Sequence, residues 1–182
     1  GPRIPIEPLI YGGGHEQLVR IRRQQCLPDS GAAMTRQPID CPISELVPHD
    51  HPMCLLDRAV EADNNSLVAE VIISADSRFI QADGMPAWVG IEYMAQAIAA
   101  WAGWQARQQG LPPKIGFLLG SRRYDSRQPW FRIGDLLRIE ISCSFQSGNG
   151  LGQFDCQISC RGEPLAEAAL TVFEPPTIPL TP

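Results

Sequence analysis

The chain has few of the residues that build a zinc site. It contains 3 histidines, and none of its 6 cysteines forms a C-x-x-C pair. Structural zinc needs closely spaced cysteine or histidine ligands, so we expect no zinc here. Cys156 and Cys160 lie an even number of residues apart in a strand-like run, which places them on one face. We interpret the cysteines as free thiols in a reducing cytoplasm.

Long apolar runs and an excess of positive charge are also missing. No stretch is long and apolar enough for a membrane-spanning helix, and Pro5, Pro8 and a glycine run at 12–14 interrupt any signal-peptide pattern. The 15 Lys and Arg residues against 20 Asp and Glu give a formal net charge of -5. This balance argues against nucleic acid and anionic membranes as partners, and we expect a cytoplasmic protein.

Composition divides the 182 residues into three parts. Residues 1–33 mix proline, glycine and charge without a period, and Gly1-Pro2 is typical of a protease-cleavage scar. We interpret this part as a tag or a flexible N-terminal arm. Residues 34–174 carry the periodic patterns of one domain. Residues 175–182 are proline-rich and predict an extended tail.

Within the domain, the strand-like runs are short and separated by turn residues. Alternating residues predict a hairpin and then four more strands. The predicted strands cover 55–61, 67–73, 115–124, 136–145, 154–160 and 165–173. The predicted turns are at 63–65, 148–150 and 161–163.

One long helix is predicted between the hairpin and the four strands. Residues 86–108 contain no proline after Pro86, which suits the first turn, while Asp83 or Gly84 can cap the helix. Gly110 and the prolines that follow end it. Its apolar residues, with Trp88, Trp101 and Trp104 expected in core or dimer contacts, surround it almost completely. Such a helix needs a sheet wrapped around it, so the predicted fold class is α+β with an antiparallel sheet.

Glu92 is the conspicuous polar residue of this apolar helix. A carboxyl held away from water can stay protonated and act as a general acid. Alternatively, the helix macrodipole simply favours an acidic residue near the N-terminus. Composition leaves both interpretations open. Gln96, four residues later, is expected to bond the Glu92 carboxyl or a backbone group.

Three segments carry a resemblance to a known family. Residues 86–96, P-A-W-V-G-I-E-Y-M-A-Q, are similar to the central-helix motif P-G-V-x-x-x-E-x-M-A-Q of the β-hydroxyacyl-ACP dehydratases. Residues 47–58, V-P-H-D-H-P-M-C-L-L-D-R, resemble that family's L-P-H-R-x-P-F-L-L-V-D-R. Residues 129–137, P-W-F-R-I-G-D-L-L, resemble R-P-V-x-P-G-D-x-L. The A-D-G-x-P-x-W pattern before the helix most resembles the dehydratase-like proteins of aryl-polyene pigment clusters.

The resemblance implies a hotdog fold, in which an antiparallel sheet wraps around one long central helix of a dimer. It also implies removal of water from 3-hydroxyacyl chains on an acyl carrier protein, in polyene or fatty-acid-type synthesis, without a cofactor. Glu92 would help the hydroxyl leave, and a histidine would remove the α-proton. A backbone N–H at Ala87 or Trp88 would bind the thioester carbonyl, with Gln96 beside the substrate.

The chain departs from the family at the histidine. The family's G-H-F-P-G precedes the helix, whereas residues 81–86 read Q-A-D-G-M-P here, with Asp83 near the histidine position. A carboxylate is a much weaker base than imidazole. Two copies of this chain would bring no histidine at that position. The base is therefore expected from a paralogous hotdog subunit in a heterodimer or from His49, and the sequence leaves open whether the chain forms a homodimer or a heterodimer. His51 has no counterpart in the family motif.

Two other functions remain open on the sequence. Glu92 or Asp83 could serve as nucleophile or base in a hotdog acyl-thioester hydrolase. Alternatively, the chain could be a catalytically silent, acyl-ACP-binding partner of another hotdog subunit. Because the net charge is negative, docking of an acidic carrier protein would need a local basic cluster such as Arg122, Arg123 and Arg127.

Overall fold

The computed structural model describes residues 35–47, 54–113 and 116–175. In these ranges a 3-10 turn covers Ile43–Glu45 and an α-helix, α1, covers Val89–Gln108. The strands are β1 (Gln37–Pro38), β2 (Arg58–Ala62), β3 (Ser66–Ile72), β4 (Met85–Pro86), β5 (Phe117–Ser126), β6 (Trp130–Phe131), β7 (Leu136–Gln146), β8 (Leu151–Cys160) and β9 (Glu163–Phe173).

Seven of these strands form one antiparallel sheet that packs around α1. Their order is β1-β2-β3-β7-β8-β9-β5, and α1 lies mainly against β3, β7 and β8. The β2–β3 turn falls where the sequence predicted it, because Asp63 Oδ1 accepts hydrogen bonds from the N–H groups of Asn65 and Ser66. The α+β class and the hotdog arrangement expected from the resemblance are confirmed.

The core lies between α1 and the concave face of the sheet. Leu137, Ile139 and Ile141 alternate inward along β7 and are fully buried. Trp101 of α1 meets Phe154 of β8 edge-to-face, with ring centroids 5.4 Å apart. Trp101 and Trp104 are therefore core residues, as expected, whereas Trp88 is 54% exposed.

The predicted free thiols are confirmed for the cysteines that the structure describes. Cys156 and Cys160 are both buried on the inner face of β8, with Ile158 between them. All five cysteines in the described ranges are free. Burial raises the pKa of the Cys156 thiol well above its usual range, which keeps it protonated.

The start of the central helix differs from the prediction. The helix begins at Val89 rather than Pro86, because Met85 and Pro86 form β4 and pair with Phe131 and Trp130 of β6. Neither Asp83 nor Gly84 caps it: the N-cap is Trp88, and none of the described side chains bonds the cap. The predicted end is correct at Gln108. In the described ranges no helix has both the length and the apolarity to cross a membrane.

Candidate active site

Glu92 lies in the first turn of α1, and its side chain is exposed. Its neighbours Tyr93 and Met94 point into the core and are almost fully buried. The helical period explains this difference, since consecutive residues are 100° apart around the axis. The expected removal of the carboxyl from water is therefore not supplied by the described part of this subunit.

Gln96 connects Glu92 to the segment that leads into β2. Its Nε2 donates a hydrogen bond of 3.2 Å to Glu92 Oε1, and its Oε1 accepts one of 2.6 Å from the backbone N–H of Leu55. The side chain is buried, with 2% of its surface exposed. Because Leu55 offers only a donor, the amide oxygen must face Leu55 and the amide nitrogen must face Glu92. The Glu92 carboxyl is thus held through one oxygen, which leaves the other available for proton transfer.

The backbone just before α1 carries the two N–H groups that were predicted as donors to the thioester carbonyl. The N–H of Ala87 donates to the carbonyl of Pro129 at 2.9 Å, so it is already occupied. The N–H of Trp88 has no acceptor among the described residues. Of the two predicted donors, the structure leaves Trp88. It stands at the positive end of the helix macrodipole, where negative charge is stabilised.

Asp83 lies at the tip of the loop before β4. Gln81 and Gly84 exchange backbone hydrogen bonds of 2.9 and 3.0 Å, so Ala82 and Asp83 form a tight two-residue turn. Gly84 has φ of +125°, a conformation that glycine adopts easily. The Asp83 side chain is exposed. This geometry presents Asp83 to solvent, away from any partner that the described residues provide.

The predicted histidines do not fall in the described ranges. His49 and His51 both lie between residues 47 and 54, and His15 lies before residue 35, so the role of His49 stays a prediction. Among the described residues, no group of His, Cys, Asp and Glu side chains is placed to hold a metal ion.

Two aromatic side chains pack together at the start of α1. Phe79 and Trp88 meet edge-to-face with ring centroids 5.7 Å apart, and both are exposed. The Arg78 guanidinium lies 5.8 Å from the Phe79 ring centroid. Exposed aromatic groups of this kind are common where a ligand or partner binds.

A cavity of about 350 Å³ lies next to these residues. Leu55, whose N–H bonds Gln96, is part of its lining. Its lining includes Cys54, Asp57, Ser77, Met85 and Tyr93. Burial, helped by the negative charge of Asp57, raises the pKa of Tyr93 to about 12. The cavity is within the size range of small-molecule sites.

The structure therefore brings together Glu92, Gln96 and the backbone at Trp88, all within the first turns of one helix. Sequence reasoning missed two contributors. The Leu55 backbone is invisible to a motif search because any residue supplies an N–H. Tyr124 of β5 donates a hydrogen bond from its hydroxyl to the carbonyl of Ala87. The sequence signal for it is a lone tyrosine between Arg123 and Asp125, in the charged half of β5.

The chain is similar to known dehydratases. The family model for the ApeP-like dehydratases, described as ApeP dehydratase, matches residues 41–180. The 3-hydroxyacyl-[acyl-carrier-protein] dehydratase FabZ of Anaeromyxobacter dehalogenans is 30% identical over 138 residues, which covers 70% of this chain and 88% of that protein. FabZ of Roseiflexus castenholzii is 29% identical over 132 residues, covering 66% and 90%.

Solved structures give the same picture. The dehydratase heterocomplex ApeI:P from Xenorhabdus doucetiae contains a chain with 32% identity and a TM-score of 0.71, covering 76% of this chain and 94% of that one. A hypothetical thioesterase from Streptococcus pneumoniae, solved with coenzyme A, has a TM-score of 0.52 at 15% identity and covers 64% and 86%. At that identity the second similarity supports the fold alone.

Proposed function

Since the chain belongs to the family of ApeP-like dehydratases, we propose that it is the subunit that supplies the acid, Glu92, for removing water from 3-hydroxyacyl thioesters. The acyl group is carried on an acyl carrier protein, as in the FabZ relatives. The product is the 2-enoyl thioester. We assign it to polyene or fatty-acid-type chain synthesis, in which chains grow by repeated cycles that include this step.

Three groups divide the chemistry. A histidine takes the proton from Cα, and the electron pair forms the new double bond between Cα and Cβ. The negative charge that develops on the thioester oxygen is stabilised by the N–H of Trp88 and the helix dipole. Glu92 gives its proton to the β-hydroxyl as the Cβ–O bond breaks, so that the group leaves as water. The carboxylate and the imidazolium then exchange the proton back through water.

The observation that carries the proposal is the way Glu92 is held. Its side chain is exposed, so a substrate can reach it, yet one of its oxygens is fixed by Gln96. A glutamate that only faced solvent would need no hydrogen bond from a buried amide. Here the Gln96 amide is itself fixed, because its oxygen accepts a hydrogen bond from the N–H of Leu55. An acid that must meet one hydroxyl group gains a defined direction.

We propose that a second hotdog subunit brings the histidine base, with His49 as the alternative source. The similar ApeI:P structure is a dehydratase heterocomplex. In this chain β5 is the last strand of the sheet and pairs only with β9 among the described strands. It is 10 residues long, and Phe117, Leu118 and Leu119 are exposed on it. Such an edge is open to pairing with the edge strand of another subunit.

The carrier protein is expected to approach the basic side chains around the end of β5. Arg122 and Arg127 are exposed, whereas Arg123 is paired with Asp125 on the same strand. Since the chain as a whole is acidic, Arg122 and Arg127 are our proposed contacts for the acidic carrier. The free thiols of the described ranges suit a reducing compartment, and we propose the cytoplasm as the site of reaction.

The test is the loss of one water from a 3-hydroxyacyl-ACP, followed by mass spectrometry. The assay uses this protein alone, the candidate hotdog partner alone, and both together. We expect water loss from the pair, and a decrease of about 100-fold or more in Glu92→Gln. Glu163→Gln, an exposed glutamate at the start of β9, is the matched control and is expected to keep full activity.

Each other outcome identifies a rival function. Activity of this protein alone that is lost in His49→Ala would mean a self-sufficient enzyme. Release of free thiol instead of water would favour the thioester hydrolase. Full activity of the pair with Glu92→Gln would mean that Glu92 is not the acid, and would favour a catalytically silent subunit that stabilises its partner.

A further inference from the structure

Tyr124 lies on β5, and its hydroxyl donates a hydrogen bond to the carbonyl of Ala87, just before α1. We propose that Tyr124 is a positioning residue, which holds the Ala87–Trp88 peptide so that the N–H of Trp88 points at the thioester carbonyl of the substrate. The inference rests on the proposed dehydration, in which that N–H stabilises the developing negative charge.

The geometry of a peptide group links the two ends of this proposal. The carbonyl of Ala87 and the N–H of Trp88 belong to the same planar unit, in which they point in opposite directions. No cis peptide occurs in the described residues. A donor that fixes the carbonyl therefore fixes the direction of the N–H. Without the Tyr124 hydroxyl, the carbonyl would keep only the bond from the N–H of Gly90, and the peptide would be held less firmly.

The carbonyl of this peptide has two donors, and the preceding peptide is bonded as well. The carbonyl of Ala87 also accepts a hydrogen bond of 3.0 Å from the N–H of Gly90, while the N–H of Ala87 donates to Pro129. Tyr124 and Ala87 are both buried, so water does not compete for these bonds. The N–H of Trp88, at the other end of the same peptide, has no acceptor among the described residues and remains for a ligand.

Gly90 makes room for the tyrosine. A Cβ atom at this position would overlap the Tyr124 hydroxyl and would lie 3.0 Å from Ile158 Cδ1. Only a residue without a side chain allows the hydroxyl to reach the carbonyl over the helix. The first turn of α1 is thus shaped around this one hydrogen bond, at the cost of the lower helix propensity of glycine.

The donor is present over the whole working range of pH. Burial, and next the neighbouring Tyr93, raise the pKa of Tyr124 far above its usual range. The phenol therefore stays protonated and can only donate to a carbonyl. A hydrogen bond to a peptide carbonyl also polarises the amide and makes its N–H a stronger donor.

The first experiment is kinetic and uses the protein in the state that loses water fastest, alone or with its hotdog partner. For Tyr124→Phe we expect kcat to fall on the order of 10-fold, less than the loss of a direct oxyanion donor, with KM nearly unchanged. Ser126→Ala is the control, because it removes another hydroxyl bond to a backbone carbonyl, 2.6 Å long, on the same strand. Equal effects of the two substitutions, or an effect on KM alone, would contradict the inference.

The second experiment measures the N–H directly and needs no turnover. A 2-enoyl-ACP with a 13C-labelled thioester carbonyl is bound to the Glu92→Gln protein, and the carbonyl stretch is recorded by infrared difference spectroscopy. We expect a shift to lower wavenumber on binding, and a return toward the free value when Tyr124→Phe is added. An unchanged frequency in Tyr124→Phe, or no shift on binding at all, would overturn the inference.

A second variant covers the case in which Tyr124→Phe does not fold. Incorporation of 3-fluorotyrosine at position 124 keeps the shape and makes the hydroxyl a stronger donor, so the carbonyl stretch should move further to lower wavenumber. A move in the opposite direction, or none, would count against Tyr124. Failure of this inference can be distinguished from failure of the proposed function. A fully active Glu92→Gln protein would show that Glu92 is not the acid, but it would not change the carbonyl shift on which the role of Tyr124 is tested.

Discussion

Gln96 Nε2 lies 3.2 Å from Glu92 Oε1, one helical turn further along α1. The same amide accepts a hydrogen bond from the N–H of Leu55, in the segment that precedes β2. The orientation of the Glu92 carboxyl is therefore set by two parts of the chain that are 41 residues apart. A displacement of that segment would turn the amide and release the carboxyl.

The substitution Gln96→Leu should cost both activity and stability. It removes the donor to Glu92 and leaves the Leu55 N–H without its acceptor, so we expect the free energy of unfolding to fall by about 1–3 kcal/mol. Water loss should decrease on the order of 10-fold, because Glu92 is no longer oriented. Chemical denaturation and the mass assay measure the two effects. Gln105→Leu, which removes a 3.1 Å bond to Asn64 from the same helix, should leave the activity intact.

The substitution Gly90→Ala should destabilise the protein although alanine favours helices. The new Cβ would overlap the Tyr124 hydroxyl, and we expect a loss of about 1–3 kcal/mol. Adding Tyr124→Phe should recover part of this loss, as a double-mutant cycle would measure by denaturation. Gly120→Ala on β5 is the control, since no described atom lies within 4 Å of its added Cβ. Additive effects of Gly90→Ala and Tyr124→Phe would contradict the predicted overlap.

Stability should fall at alkaline pH through Tyr93. Its pKa is raised to about 12 in the folded chain by burial and Asp57, against about 10 for a free tyrosine. The unfolded chain then releases a proton first, so the stabilisation is complete below pH of about 10 and is lost as the pH rises toward 12. In Tyr93→Phe the decrease over this window should be smaller by about 1.4 kcal/mol per pH unit. Thermal unfolding followed between pH 9 and 12 would test this, and identical slopes would refute it.

The exposed apolar end of β5 should be needed for association with the partner. Phe117 and Leu119 are 53% and 47% exposed, and their replacement by serine removes apolar area from the proposed contact. We expect the dissociation constant of the pair to rise at least about 10-fold. Light scattering of the mixed subunits measures it. Leu136→Ser on β7, with the same 47% exposure, should leave association unchanged if β5 is the interface.

The sequence was sufficient for those features that depend on neighbours along the chain. The end of α1 was predicted because Gly110 and the two prolines after it cannot continue a helix. The contact between Glu92 and Gln96 followed from their spacing of four residues. The start of α1 was missed because Met85 and Pro86 pair with Phe131 and Trp130 of β6, which are 46 and 44 residues later in the chain. Local sequence preference does not contain that contact.

The remaining parts of the site depend on tertiary packing. The choice of Trp88 over Ala87 is made by Pro129, which occupies the Ala87 N–H. Tyr124 reaches the helix only because the sheet brings β5 against its first turn. A sequence motif cannot predict either contact, because both end on a backbone carbonyl, which every residue has. The role of His49 stays a prediction, because it lies outside the described ranges.

The fit between Gly90 and the Tyr124 hydroxyl also limits which substitutions this protein can accept during evolution. A larger residue at position 90 is tolerated only after position 124 has lost its hydroxyl, and a tyrosine at 124 is useful only where position 90 has no side chain. We therefore expect the two positions to co-vary among related chains. Lineages that lost the pair together would have had to stabilise the first turn of the helix by a different contact.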